Sequence, residues 1–160
     1  MTEWANFFVA VVGASAALAG LIFVGISISL KKILEYPKLA NRGLESLILL
    51  MTILVTGSLG LVPRQSDVAL GIEVTTLGAI TWIIIYLLDR SAIRGTEPEW
   101  KKHYRRNMVF NQLAVLPYIA GGVVLLLQGP VGLYWMLPGI LGSFIKALTD
   151  AWVLLVEIHR

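Results

Sequence analysis

Cysteine is absent from the 160-residue chain, which excludes disulfides, thiolate nucleophiles and cysteine-bound metals. Charge is scarce as well. Only 14% of the residues are Asp, Glu, Lys or Arg, against about 25% in an ordinary soluble domain, too few to cover a globular surface. Histidine occurs only at His103 and His159, and neither has metal-ligand spacing. Also missing are a glycine-rich phosphate loop, a Gly-x-Ser-x-Gly elbow and a His-Glu-x-x-His pair. These gaps lead us to expect no enzyme, no metal and no cofactor. The net charge of +3 and pI near 9.3 do not call for nucleic acid, because the positive residues flank apolar runs and membrane topology accounts for them.

What the chain has in abundance is apolar sequence. It is 57% hydrophobic with mean hydropathy +0.78, and the apolar residues gather in runs near the length of about 20 residues that crosses a bilayer. The sequence predicts an all-α integral membrane protein, one transmembrane domain over residues 1–160. Its five transmembrane helices lie at about 7–30, 44–62, 68–88, 109–127 and 133–156, packed as a helical bundle. Met1-Thr2-Glu3-Trp4 is acidic and lacks the basic start of a signal peptide, and Ala14-Ser15-Ala16 falls in mid-run. An uncleaved first span is therefore expected.

The first span carries Gly13/Ala17 and Ala16/Gly20, pairs of small residues four apart that let another helix approach closely in lipid. Packing within the chain, a subunit interface and a pore lining all use such a face. The span closes on Lys31-Lys32, Tyr36 and a helix-breaking Pro37. Pro63-Arg64-Gln65-Ser66-Asp67 is a tight turn in which Ser66 can cap the next helix, giving an antiparallel hairpin. Glu73 lies nearly two turns inside the third span, so it is either shallow and wet or paired. The polar segment 96–108 starts with Thr96-Glu97-Pro98-Glu99, a capping-box pattern with Thr96 as N-cap. It continues as an amphipathic stripe of Trp100, Tyr104 and Met108 beside Lys101, Lys102, Arg105 and Arg106. Those four bases either anchor the next span topologically or bind anionic lipid headgroups. Asn111 and Gln112 follow at the inner end of the fourth span, Pro117 should kink it, and Gln128-Gly129-Pro130-Val131-Gly132 forms a second hairpin turn.

With five spans, Lys31, Lys32, Lys38, Arg42, Arg90, Arg94, Lys101, Lys102, Arg105, Arg106 and Arg160 share one side and Arg64 stands alone on the other. The positive-inside bias then sets the N-terminus out, the C-terminus in, and segment 96–108 in the cytoplasm.

The last span holds the most informative line. Gly139, Gly142, Ser143, Lys146, Asp150, Val153 and Glu157 recur at helical spacing on one stripe. Gly139 and Gly142 suit close helix packing or an oligomer interface. Lys146 and Asp150 are one turn apart, within easy pairing reach. Ionisable residues inside a membrane are rare and costly. The stripe therefore reads as a structural pair between helices or subunits, as part of an ion, proton or substrate pathway, or as snorkelling side chains. A pathway would draw on Glu73 and Gln128 toward the outside, Lys146 and Asp150 in the middle and Glu157 toward the inside.

The first span, from Phe7-Phe8 through Gly13-Ala14-Ser15-Ala16-Ala17-Leu18-Ala19-Gly20 to Phe23-Val24-Gly25-Ile26-Ser27, resembles the opening of a group of small uncharacterised bacterial integral membrane proteins. That resemblance covers about the first third of the chain and implies a multi-pass protein of the bacterial inner membrane, with no activity or functional residue attached. So small a bundle with small-residue faces is expected to form a homo-oligomer. The expectation for function is a small oligomeric channel or transporter-like protein for ions or protons. The alternative is a non-conducting accessory protein that binds another membrane complex or lipids.

Overall fold

The computed structural model describes residues 4–35, 37–94 and 97–158, with the side chains of 37–39 and 157–158 outside the description. Among these residues the chain is almost entirely helical, without strands: α1 (Ala5–Ile28), α2 (Leu30–Glu35), α3 (Pro37–Gly60), α4 (Asp67–Arg94), α5 (Pro98–Gln128), a 3-10 turn (Gly129–Val131) and α6 (Gly132–Ile158). Four helical stretches are long and apolar enough to cross a membrane: Ala5–Ile28, Ala40–Gly60, Asp67–Arg94 and a 59-residue stretch, Pro98–Val156, that takes in α5, the turn and α6.

Local chemistry fixes the ends. The backbone N–H of Ala69 donates to Ser66 Oγ at 3.1 Å, and Asp67 stands in the first turn of α4, so an oxygen and a negative charge meet the exposed donors there. Pro98 opens α5 after an extended Glu97, where a missing N–H costs nothing. Gly129 ends it with φ +67°, a conformation open to glycine at no steric cost. Two boundaries correct the sequence expectation. The first helix stops at Ile28 and α2 follows, because Gly25, Ser27 and Ser29 are weak helix formers and Ser27 Oγ donates back to the Phe23 carbonyl at 2.8 Å. Pro37 begins α3 as well as ending what precedes it. The capping-box segment does open a helix before the apolar run, and the basic segment and the fourth span form one continuous helix, α5, running through Pro117. Thr96 lies outside the described residues, as do Tyr36, His159 and Arg160.

Helices α3, α4, α5 and α6 close a ring: α4 packs on α5, α5 on α6, α6 on α3 and α3 on α4, while α1 lies outside the ring against α3. The ring's apolar interior includes Leu49, Leu50 and Ile53 of α3, Val74 and Ile85 of α4, Val115 and Tyr118 of α5, and Met136 and Ile140 of α6. Glycines let the backbones meet. A methyl group at Gly132 would sit 2.4 Å from the Leu125 nitrogen and 2.5 Å from the Gly121 carbonyl oxygen, and one at Gly122 would sit 2.3 Å from Thr75 Oγ1.

The small residues of α1 do not take part in this packing. Its buried face is Phe8, Val11 and Ser15, and close approach to α3 comes from Gly57 and Gly60, where an added methyl would meet Val12 and Phe8 at 2.6 Å. Gly13, Ala16, Ala17 and Gly20 all face outward, and no atom lies within 4 Å of a methyl built on Gly13 or Gly20. Of the options read from the sequence, packing of that face within the chain is therefore corrected.

Gly132→Ala should destabilise the protein by about 1–3 kcal/mol, the usual cost of overpacking, since backbone rather than a flexible side chain stands in the way. Gly13→Ala should be neutral or slightly stabilising. Thermal unfolding of the two variants in the same detergent checks the contrast.

Candidate functional site

Midway between the centre of the ring and the ends of its helices, each of its four members contributes polar side chains to one buried cluster. Glu45 comes from α3, Asp89 from α4, Asn107 and Asn111 from α5, and Lys146 and Asp150 from α6. Lys146 Nζ donates to Asp150 Oδ2 one turn away on the same helix and lies 3.9 Å from Glu45 Oε2. Asn111 Nδ2 lies 3.2 Å from Glu45 Oε2 and 3.1 and 3.0 Å from the two Asp89 oxygens. Asn107 Nδ2 reaches the same two carboxylates at 3.3 and 3.5 Å. Glu45, Asp89, Asn111, Lys146 and Asp150 are all between 0 and 7% exposed, so bulk solvent is largely withheld from them.

Acceptors outnumber donors here. Three carboxylates face one ammonium and two amides, and one Asn111 amide nitrogen, with two hydrogens to give, meets three carboxylate oxygens. Asn111 Oδ1 is buried with no partner. A buried ion pair holds together only when its remaining lone pairs are met, and this cluster leaves several open. Chemically it is equipped to accept a hydrogen-bond donor or a proton. Among the described residues no group of three or more His, Cys, Asp or Glu has the arrangement of a metal site.

Neutral hydroxyls continue from the cluster through the ring. Thr52 of α3 and Thr81 of α4 share a hydrogen bond of 3.0 Å, each seven or eight residues from the carboxylate of its own helix. Beyond them the hydroxyls of Thr56 and Thr75 are buried without partners. On the other side of the ring Tyr118 Oη donates to Ser143 Oγ at 3.3 Å, and Ser143 Oγ lies 3.5 Å from the Ala114 carbonyl.

A cavity of about 600 Å³ reaches the cluster between α5 and α6. Lys146, Thr149, Asp150 and Asn107 line its wall, Arg42, His103 and Arg106 stand at one end, and Leu113, Pro138 and Gly142 at the other. A second, apolar cleft of about 380 Å³ lies between α1, α2 and α6.

The residues singled out in sequence fall in different places. Lys146 and Asp150 are in the cluster, and Gly139 and Gly142 lie above them against Tyr118 and Ala114 of α5. Glu73 is exposed, hydrogen-bonded to Gln65, and sixteen residues along α4 from Asp89, about 24 Å at 1.5 Å per residue. Gln128 is exposed beside the turn, and the side chain of Glu157 lies outside the description. Lys101, Lys102, Arg105 and Arg106 are exposed on the first turns of α5, and only Arg106 reaches the cavity. Sequence reading missed Glu45 and Asp89. Each stands at the edge of an apolar run and was assigned to a span boundary. The signal that finds them is the spacing of Glu45 to Thr52 and Thr81 to Asp89, which sets carboxylate and hydroxyl on one face of each helix.

Lys146→Met leaves three buried carboxylates without a cation and should cost about 3–5 kcal/mol. Lys146→Met combined with Asp150→Leu should cost less than the two single losses added together. Unfolding midpoints of the four proteins in one double-mutant cycle measure this, and additive losses would show that the pair is not coupled.

Comparison with known proteins adds no assignment: no protein-family model, no curated protein and no solved structure matches this chain.

Proposed function

We propose that this chain is a proton-translocating membrane protein of five spanning segments, in which the Glu45–Asp89–Asn111–Lys146–Asp150 cluster takes up and releases the proton. The observation that carries the reading is the excess of buried carboxylate over buried cation. A second negative charge left unpaired in a low-dielectric interior costs several kcal/mol, and a proton removes that cost without occupying space. A metal or alkali cation fits less well, because the Lys146 ammonium already fills the cationic position. Chains of Asp and Glu inside membranes serve as proton relays.

Access on one side is the cavity along Lys146 and Asp150. On the other, the paired hydroxyls of Thr52 and Thr81 between α3 and α4, and the unpartnered hydroxyls of Thr56 on α3 and Thr75 against α5, supply further donors and acceptors. This route replaces the one through Glu73 and Gln128 considered from sequence. In proteoliposomes, wild type should carry protons down an imposed pH difference. Asp89→Asn and Thr52→Val should lower that flux toward the level of empty vesicles, and Glu73→Gln should leave it unchanged. Flux absent from wild type, or unaffected by Asp89→Asn at equal assembly, would remove the proposal.

Five crossings are supported by the glycine turn at Gly129, which reverses the chain within the 59-residue apolar stretch and lays α6 along α5. The positive-inside bias then sets the N-terminus out and the C-terminus in. The exposed small-residue face of α1 (Gly13, Ala16, Ala17 and Gly20) supports self-association. It equally favours a second reading, a non-conducting accessory protein that offers α1 to another membrane complex. The natural lack of cysteine makes one set of variants informative for both points. Cysteines at Pro63 and Gln128 should react with impermeant maleimide from outside and one at Ser91 from inside. Ala17→Cys should cross-link two copies. Labelling of Gln128→Cys from the inside would refute five spans, and failure of the cross-link would favour a different partner for α1.

A further inference from the structure

One end of the cavity between α5 and α6 is rich in cations. Arg42 Nη2 lies 3.0 Å from His103 Nε2, and Arg106 Nη2 lies 3.4 Å from His103 Nδ1. An imidazole offers at most one acceptor nitrogen, and guanidinium only donates, so one of the two arginines meets an N–H rather than a lone pair. Among the described residues neither guanidinium makes an ion pair. Two cations converge on one ring with no anion between them.

The rest of the same cavity is apolar and open on its flank. Phe110, Leu113 and Ile145 line it and are 56, 62 and 67% exposed. From Val153 to Pro138 its wall on α6 spans sixteen residues, about 22 Å of helix from first to last. A volume of about 600 Å³ is within the range of ligand pockets. A donor-rich cationic end joined to a long greasy flank complements an anionic amphiphile, and a free anion would leave the flank uncovered.

We infer that this groove is a binding site for one anionic phospholipid, its phosphate held by Arg42, His103 and Arg106 and one acyl chain laid along Phe110, Leu113 and Ile145. The site differs from a general basic collar. Lys101, Lys102 and Arg105 lie outside the cavity and contribute only to the diffuse attraction of the surface. The inference does not rest on proton translocation, and its test reads no flux.

The test is native mass spectrometry of protein extracted from vesicles of equal phosphatidylglycerol and phosphatidylcholine. Wild type should retain one phosphatidylglycerol per chain in preference to phosphatidylcholine. Arg42→Gln with Arg106→Gln should weaken retention roughly 30-fold, at about a fivefold loss per arginine near a membrane surface. Lys101→Gln with Lys102→Gln should retain the lipid as wild type does. Thr149→Trp, which fills the groove and leaves every charge in place, should also lose it, and this variant keeps the test open should the arginine pair fail to fold. Equal retention of the two lipids, or equal losses in the lysine and arginine pairs, would overturn the site. Displacement of the lipid by excess inorganic phosphate would overturn the acyl-chain contribution.

Discussion

One buried ammonium organises this bundle. Lys146 is paired with Asp150 on its own helix and approaches Glu45 on α3, while Asn107 and Asn111 carry the same contact set across to Asp89 on α4. Where water is absent, a polar side chain has no alternative partner, so each helix is held in the register that keeps its member of the cluster in reach. Sliding any one of the four by a single turn, about 5.4 Å, would strand at least one charge. Such a cluster is weak evidence for net stability, because desolvation opposes the pairing. Its consequence is a specified arrangement of four helices.

The remaining contacts fit around that arrangement. Glycines at 121, 122 and 132 bring α4, α5 and α6 close enough for backbone contact, and the hydroxyl pairs Thr52–Thr81 and Tyr118–Ser143 tie α3 to α4 and α5 to α6. Small residues and side-chain hydrogen bonds are the means of helix association left when lipid removes the hydrophobic driving force. Helix α1 stands apart from this core. It is held through Phe8 and Val11 against the glycines of α3, and through the edge contact of Trp4 with Tyr134 of α6, and it leaves its small-residue face outward.

The cavity runs from a cationic mouth to an apolar end. On its wall is the Lys146–Asp150 pair, through which it touches the carboxylate cluster, and at its mouth are two arginines that make no ion pair among the described residues. A phospholipid seated as we infer would neutralise the mouth and cover the flank that faces hydrocarbon. The two proposals share this cavity, and each has its own readout.

Much of the fold was legible in the sequence. Apolar runs of bilayer length fixed the helices, Ser66 and Gly129 marked turns, and the spacing of Lys146 and Asp150 made their pairing readable, because all of these depend on residues close together along the chain. Boundaries were less legible, as at Ser29 and Pro37, where helix formation is nearly balanced. What the sequence by itself determined is therefore an all-helical membrane-type chain with an ionisable pair inside its last helix. Only the tertiary structure decided that Glu45 and Asp89 join that pair, that Glu73 does not, and that the small face of α1 turns outward. It also decided that Arg42 meets His103 from 61 positions away. Those facts depend on which helices are neighbours and how each is rotated, and a one-dimensional period carries neither.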